Sequence, residues 1–120
     1  VPQLGICEFV ADTQLASLAI ASCREVNPDL QVHLGRVVSG DQFISSSKVK
    51  ERLIQVFHGD CAEMEGASIA QGAYLNHIPF VIIRAISDKA DGSAEMDYPV
   101  FEEAAARHSA RLVEDLVKRI

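Results

Sequence analysis

Three carboxyl groups and one guanidinium stand at positions where a folded chain would present them to a ligand. Ser87 and Asp88 close the apolar run Phe80-Val81-Ile82-Ile83-Arg84-Ala85-Ile86, and Glu63 and Glu65 flank Met64 a short way upstream. Carboxyl groups that share one site can divide the work: partial burial keeps one neutral as a proton donor, while another stays charged and holds a developing cation. Arg84 lies inside the apolar run and has the charge to pair with such acids.

The elements that would position these groups are legible around them. The Phe80 run is rich in β-branched residues, is introduced by Pro79 and is followed by the acidic, Gly-containing stretch Asp88 to Gly92. It reads as a strand buried on both faces. Ser87 and Asp88 then sit at a strand's carboxyl end, where open α/β sheets bind ligands. Position alone also allows Asp88 to be an ordinary N-cap or turn residue. Cys61 to Glu65 reads as a short strand giving way to a helix of small residues from about Gly66 to Asn76, whose amino terminus carries partial positive charge.

Upstream, Asp12 is an N-cap for a helix whose Leu15, Leu18, Ala19 and Val26 recur at helical spacing until Asn27-Pro28 stops it. Gln31 to Gly40 reads as a strand, with His33 a core or edge histidine. Ser45-Ser46-Ser47 caps a helix from about Lys48 to Phe57 with an apolar and a charged side. Lys89 to Asp97 is a polar loop, and Tyr98 to Ile120 is a long helix with Pro99 in its first turn and His108 on its packing face.

Composition narrows the classes. A chain of 120 residues with 48% hydrophobic residues suits one globular α/β domain, and no apolar stretch is long enough to span a bilayer. The net charge of −6 is spread without blocks, which argues against nucleic acid and anionic membrane as partners and favours a small molecule. Cys7, Cys23 and Cys61 have no metal-type spacing, so the reading is reduced thiols in a cytoplasmic protein with no metal and no cofactor.

Three segments together carry a resemblance: VSGDQFI from Val38 to Ile44, AEMEGASIAQ from Ala62 to Gln71, and RAISD from Arg84 to Asp88. They resemble the bacterial 5′-methylthioadenosine/S-adenosylhomocysteine nucleosidases of the nucleoside phosphorylase fold group. The resemblance implies a three-layer α/β/α mixed sheet, of which residues 1–120 form the carboxy-terminal half as a single incomplete domain. The family's amino-terminal half, with the glutamate that activates water, would lie before Val1. The 120 residues alone are then expected to be inactive, and to pair as a homodimer or with that half.

The resemblance also implies roles. Asp88 protonates N7 of the departing adenine, with Ser87 orienting it. Glu65 binds the ribose hydroxyls and supports the sugar cation, Met64 packs under the sugar, and Arg84 steadies the acids. Glu63 and Tyr98 line the pocket, Phe43 stacks on the base, the backbone of Ile44 reads its edge, and Pro2 reaches a partner subunit's site. The alternatives are a purine nucleoside phosphorylase or a futalosine-type hydrolase. From another class, a receiver-like module would accept a phosphoryl group on Asp88 and require magnesium. A phosphorylase needs a basic or hydroxyl-rich cradle, and in this stretch only Arg84 offers one.

Overall fold

The structure is a computed structural model and describes residues 1–87 and 98–120. In chain order it contains α1 (Thr13–Val26), β1 (Val37–Ser39), α2 (Ser47–Phe57), β2 (Cys61–Glu63), α3 (Gly66–Leu75) and α4 (Tyr98–Arg119). The α/β class expected from the sequence is the class that forms.

Helix α1 begins and ends for local reasons, whereas the Ser46 side chain, expected to cap α2, makes no capping hydrogen bond. The Asp12 carboxylate accepts from the Leu15 N–H at 2.8 Å, satisfying a donor with no intrahelical partner at the start of α1. At the other end Asn27 donates its N–H to the Cys23 carbonyl at 2.8 Å, and Pro28 forbids another turn. Helix α2 closes on His58, which takes the left-handed conformation at φ 54° and donates to the Ile54 carbonyl.

Strands β1 and β2 pair in parallel, with Val37 opposite Cys61, Val38 opposite Ala62 and Ser39 opposite Glu63. Helix α2 makes the crossover between them, giving a βαβ unit whose two strands end side by side. Helix α3 packs on β1, and its Ala70 and Gly66 are buried because small side chains let its backbone approach the sheet. Helices α1 and α4 pack together around Ala19, Cys23, Leu112 and Leu116, with Ile83 against that cluster. The Asn27 side-chain amide donates to the His108 carbonyl at 2.9 Å, and so ties the end of α1 to the middle of α4.

Two expectations are corrected. Of the strand expected over Gln31 to Gly40, only Val37–Ser39 forms, because its partner β2 is just as short and the chain turns away at Met64. The Phe80 run, expected to be a strand buried on both faces, joins no ladder among the described residues; the Phe80 carbonyl instead accepts from the Asp12 N–H at 2.8 Å. β-branched composition suits a pleated surface, but a strand exists only where a second backbone takes up its N–H and C=O groups.

The radius of gyration, 15.2 Å, exceeds the roughly 13.6 Å typical of a compact domain of this length. Helix α2 has no buried residue, and Val49, Ile54 and Phe57 stay exposed along it.

Candidate active site

The parallel register brings Ser39 and Glu63 to the same edge, at the carboxyl ends of β1 and β2. There the Glu63 carboxylate is engaged on both oxygens. Its Oε1 accepts from the Ser39 hydroxyl, and its Oε2 accepts from the backbone N–H groups of Glu65 at 2.9 Å and Gly66 at 2.7 Å. The Ser39 hydroxyl in turn accepts from the Ala67 N–H at 2.8 Å. Three N–H groups at the entry to α3, which have no partner within the helix, are thus taken up by two side chains from the sheet edge. Gly66 permits this closeness: a Cβ there would lie 2.9 Å from Glu63 Oε1.

Arg84 completes the cluster from the Phe80 run. Its Nε lies 3.9 Å from Glu63 Oε2, and its Nη1 lies 3.6 Å from Glu65 Oε2. The two acids differ sharply in setting, since the Glu63 side chain is 3% exposed and that of Glu65 is 61% exposed. Burial by itself would push the Glu63 carboxyl up. The hydrogen bonds from Ser39, Glu65 and Gly66, with the Arg84 charge, outweigh burial and hold it below the usual carboxylate range. Glu63 is therefore a fixed anion turned into the protein, and Glu65 is the member of the pair whose carboxylate faces solvent.

The thiol of Cys61, two residues before Glu63, is held in its neutral form more firmly than a free cysteine. Burial pushes its thiol up, and the Glu63 and Asp60 carboxylates add to this against the opposing pull of Arg84. Among the described residues no three His, Cys, Asp or Glu side chains cluster as a metal site. No helix among them is long and apolar enough to cross a membrane.

The other expected site residues are less concentrated. A wide cleft of about 1790 Å³ has Ile44, Glu63 and Arg84 on its wall. Phe43 is 68% exposed on the loop after β1, and Met64 is exposed between the two acids. Ser87 is exposed at the end of the Phe80 run. Tyr98 heads α4 with its ring centroid 6.4 Å from that of Phe101. Pro2 lies in an exposed turn at the start of the chain, where Leu4 and Gly5 donate to the Val1 carbonyl. Asp88, the expected acid, and the polar loop from Lys89 to Asp97 lie outside the described residues.

The residue that motif reading passed over is Ser39. It stands in the VSGD segment, and the signal available in the sequence was its place near the end of an expected strand; only the register sets it opposite Glu63.

The model of the phosphorylase superfamily matches residues 1–118. The chain belongs to this superfamily. It is 40% identical over 116 residues to the 5′-methylthioadenosine/S-adenosylhomocysteine nucleosidase of Exiguobacterium sp., a match covering 93% of the chain and 48% of the relative. The Staphylococcus aureus nucleosidase is 42% identical over 92 residues, covering 76% of the chain and 40% of the relative. The chain spans about half the length of the curated relatives it matches.

Among solved structures, the Neisseria meningitidis nucleosidase in complex with methylthio-immucillin-A superposes with a TM-score of 0.82 at 37% identity, over 93% of this chain and 48% of that one. The Helicobacter pylori futalosine hydrolase superposes with a TM-score of 0.81 at 33% identity, over 93% and 47%. A superfamily member with these neighbours has the α/β architecture described above.

Proposed function

We propose that this chain carries the leaving-group and sugar-stabilising side of an N-glycosyl hydrolase that cleaves 5′-methylthioadenosine and S-adenosylhomocysteine, releasing adenine and a thioribose. The observation that carries the proposal is the paired state of Arg84, which is shared between the buried Glu63 at the end of β2 and the exposed Glu65 at the entry to α3. Such an arrangement keeps one solvent-facing carboxylate in a fixed place beside Arg84, as stabilising a ribosyl cation requires.

In this reading Glu65 accepts from the ribose hydroxyls and opposes the positive sugar. Met64 packs below it, and Phe43 offers its exposed ring to the adenine while the Ile44 backbone reads the purine edge. Asp88, four residues beyond Arg84 in the sequence, delivers the proton to N7, with Ser87 orienting it; the neutral purine then leaves as the C–N bond breaks. Tyr98 lies beside the base and the 5′ alkylthio group. The protein acts in the cytoplasm, within methionine salvage, as a homodimer in which Pro2 approaches the partner's site.

Water is favoured over phosphate as the nucleophile. Arg84 already faces two carboxylates, and the N–H groups at the entry to α3 are occupied by Glu63 and Ser39, so those N–H groups are not open to a phosphate oxygen. The similarity to a futalosine hydrolase supports a second reading at the level of substrate, in which the same acids act on a nucleoside with a different 5′ substituent.

The test is adenine release from 5′-methylthioadenosine, S-adenosylhomocysteine and futalosine by the protein that contains this chain, with and without inorganic phosphate. Hydrolysis of the thio-nucleosides at a rate independent of phosphate supports the proposal. A strict phosphate requirement, with a sugar 1-phosphate as product, replaces it with a phosphorylase.

A further inference from the structure

The side chain that sets the geometry of the cluster is one to which the proposed function gives no substrate contact. We infer that Ser39 is a positioning residue: through Glu63 it locks the entry to α3, and thereby holds Glu65 and Arg84 in place. The inference rests on the proposed function in one respect only, the role given to Glu65.

The Ser39 hydroxyl has one hydrogen to give, and Glu63 Oε1 receives it. Its oxygen accepts from the Ala67 N–H at 2.8 Å, so Ser39 bridges the β2 carboxylate and the second residue of α3. Glu63, held on Oε1 by Ser39, offers Oε2 to the N–H groups of Glu65 and Gly66 and to Arg84. Remove the hydroxyl, and Oε1 and the Ala67 N–H both lose a partner in a region where Glu63 is buried.

The carboxylate is then free to turn about its side chain, and three things depend on it. Glu65 begins the helix with its own N–H bonded to Glu63, so its backbone direction moves with that bond. Arg84 loses one of two anions that share it, and shifts towards Glu65, neutralising the carboxylate that should face the sugar. Gly66 leaves the carboxylate room to sit against the helix, but this space also lets it move once it is unlatched.

Positions of this kind control the transition state more than the ground state, since misplacing a charge by about 1 Å can cost on the order of 10²-fold in rate. The experiment compares Ser39→Ala and Ser39→Thr in the catalytically competent protein, by steady-state kinetics on 5′-methylthioadenosine and by amide exchange at Glu65, Gly66 and Ala67. Ser39→Ala is expected to lower kcat by about 10- to 100-fold with KM changed by less than about threefold, and to speed exchange at all three amides; Ser39→Thr restores both.

A rise in KM with kcat unchanged would overturn the inference, as would unchanged exchange at the three amides. Equal damage from Thr and Ala would do the same, because the hydroxyl would then not be the operative group. The exchange measurement needs no substrate. If the protein releases no adenine at all, the proposed function fails, while the latch still stands or falls on the three amides.

Discussion

Ser39 and Glu63 are the last residues of two parallel strands in register, and the hydroxyl of one donates to the carboxylate of the other. This single cross-strand pair turns a local sequence feature, two glutamates on either side of a methionine, into two residues with different work. Glu63 is spent inside the protein on the helix entry, and Glu65 is left with its carboxylate in solvent, steadied by Arg84.

Replacing Glu65 should therefore be felt at the sugar and not at the base. Glu65→Gln is expected to reduce turnover of 5′-methylthioadenosine by about 10²–10³-fold, the usual effect of losing one charge-stabilising contact in a transition state. Adenine affinity, measured by calorimetry on the same variant, should change little. A parallel fall in adenine affinity would move Glu65 into the base pocket.

Asp88→Asn tests the proton donor. Asn keeps the size of Asp and caps turns equally well, but it delivers no proton, so turnover should fall by at least about 10²-fold while the fold survives. A nitrophenyl riboside, whose leaving group departs without protonation, should recover most of the rate. Undiminished adenine release by the variant would leave Asp88 with a structural part only.

The Glu63 carboxyl predicts a pH dependence of stability with a definite sign. Its pKa in the folded state lies below the usual value, so the native state binds the anion more favourably than the unfolded chain does. The stabilisation is fully present above the unfolded pKa of about 4.3 and is lost as pH falls through the lower folded value. Glu63→Gln should destabilise the protein at pH 7, by about 1–3 kcal/mol, since an amide cannot accept on both sides of the same latch. The gap between wild type and variant should narrow on acidification below about pH 4. Denaturant titrations at several pH values check this, and a gap that widens in acid would contradict it.

Gly66→Ala sets two effects against each other. Alanine favours the helix over glycine by about 1 kcal/mol. Its Cβ, however, would sit 2.9 Å from Glu63 Oε1 and 3.1 Å from Cδ, and the carboxylate has no slack because Ser39, Glu65 and Gly66 all hold it. Hydrogen bonds to a charged group are worth about 1.5–3 kcal/mol each, so displacing the carboxylate outweighs the helix gain. Net destabilisation is expected, read as a lowered Tm; a raised Tm would mean that the carboxylate yields easily.

The elements that depend on local chemistry were legible in the sequence. Asp12 and Asn27-Pro28 bound α1, and Pro99 with the apolar spacing after it announced α4. The break between Glu65 and Gly66 marked where β2 yields to α3. A cap, a proline or a 3.6-residue period acts within one or two turns, so the residues themselves carry the instruction. Glu63 and Glu65 stood out through one segment, AEMEGASIAQ, and Arg84 through another, RAISD, each a pattern of residue types that survives in the linear order.

What tertiary structure decided were matters of partnership. The Phe80 run has every mark of a strand and forms none among the described residues, because strand propensity becomes structure only against a second backbone. Glu63 and Glu65 have the same side chain, yet one is buried and the other faces solvent. The difference comes from the register that sets Ser39 opposite Glu63 across a separation of 24 residues, a distance over which no local pattern reaches.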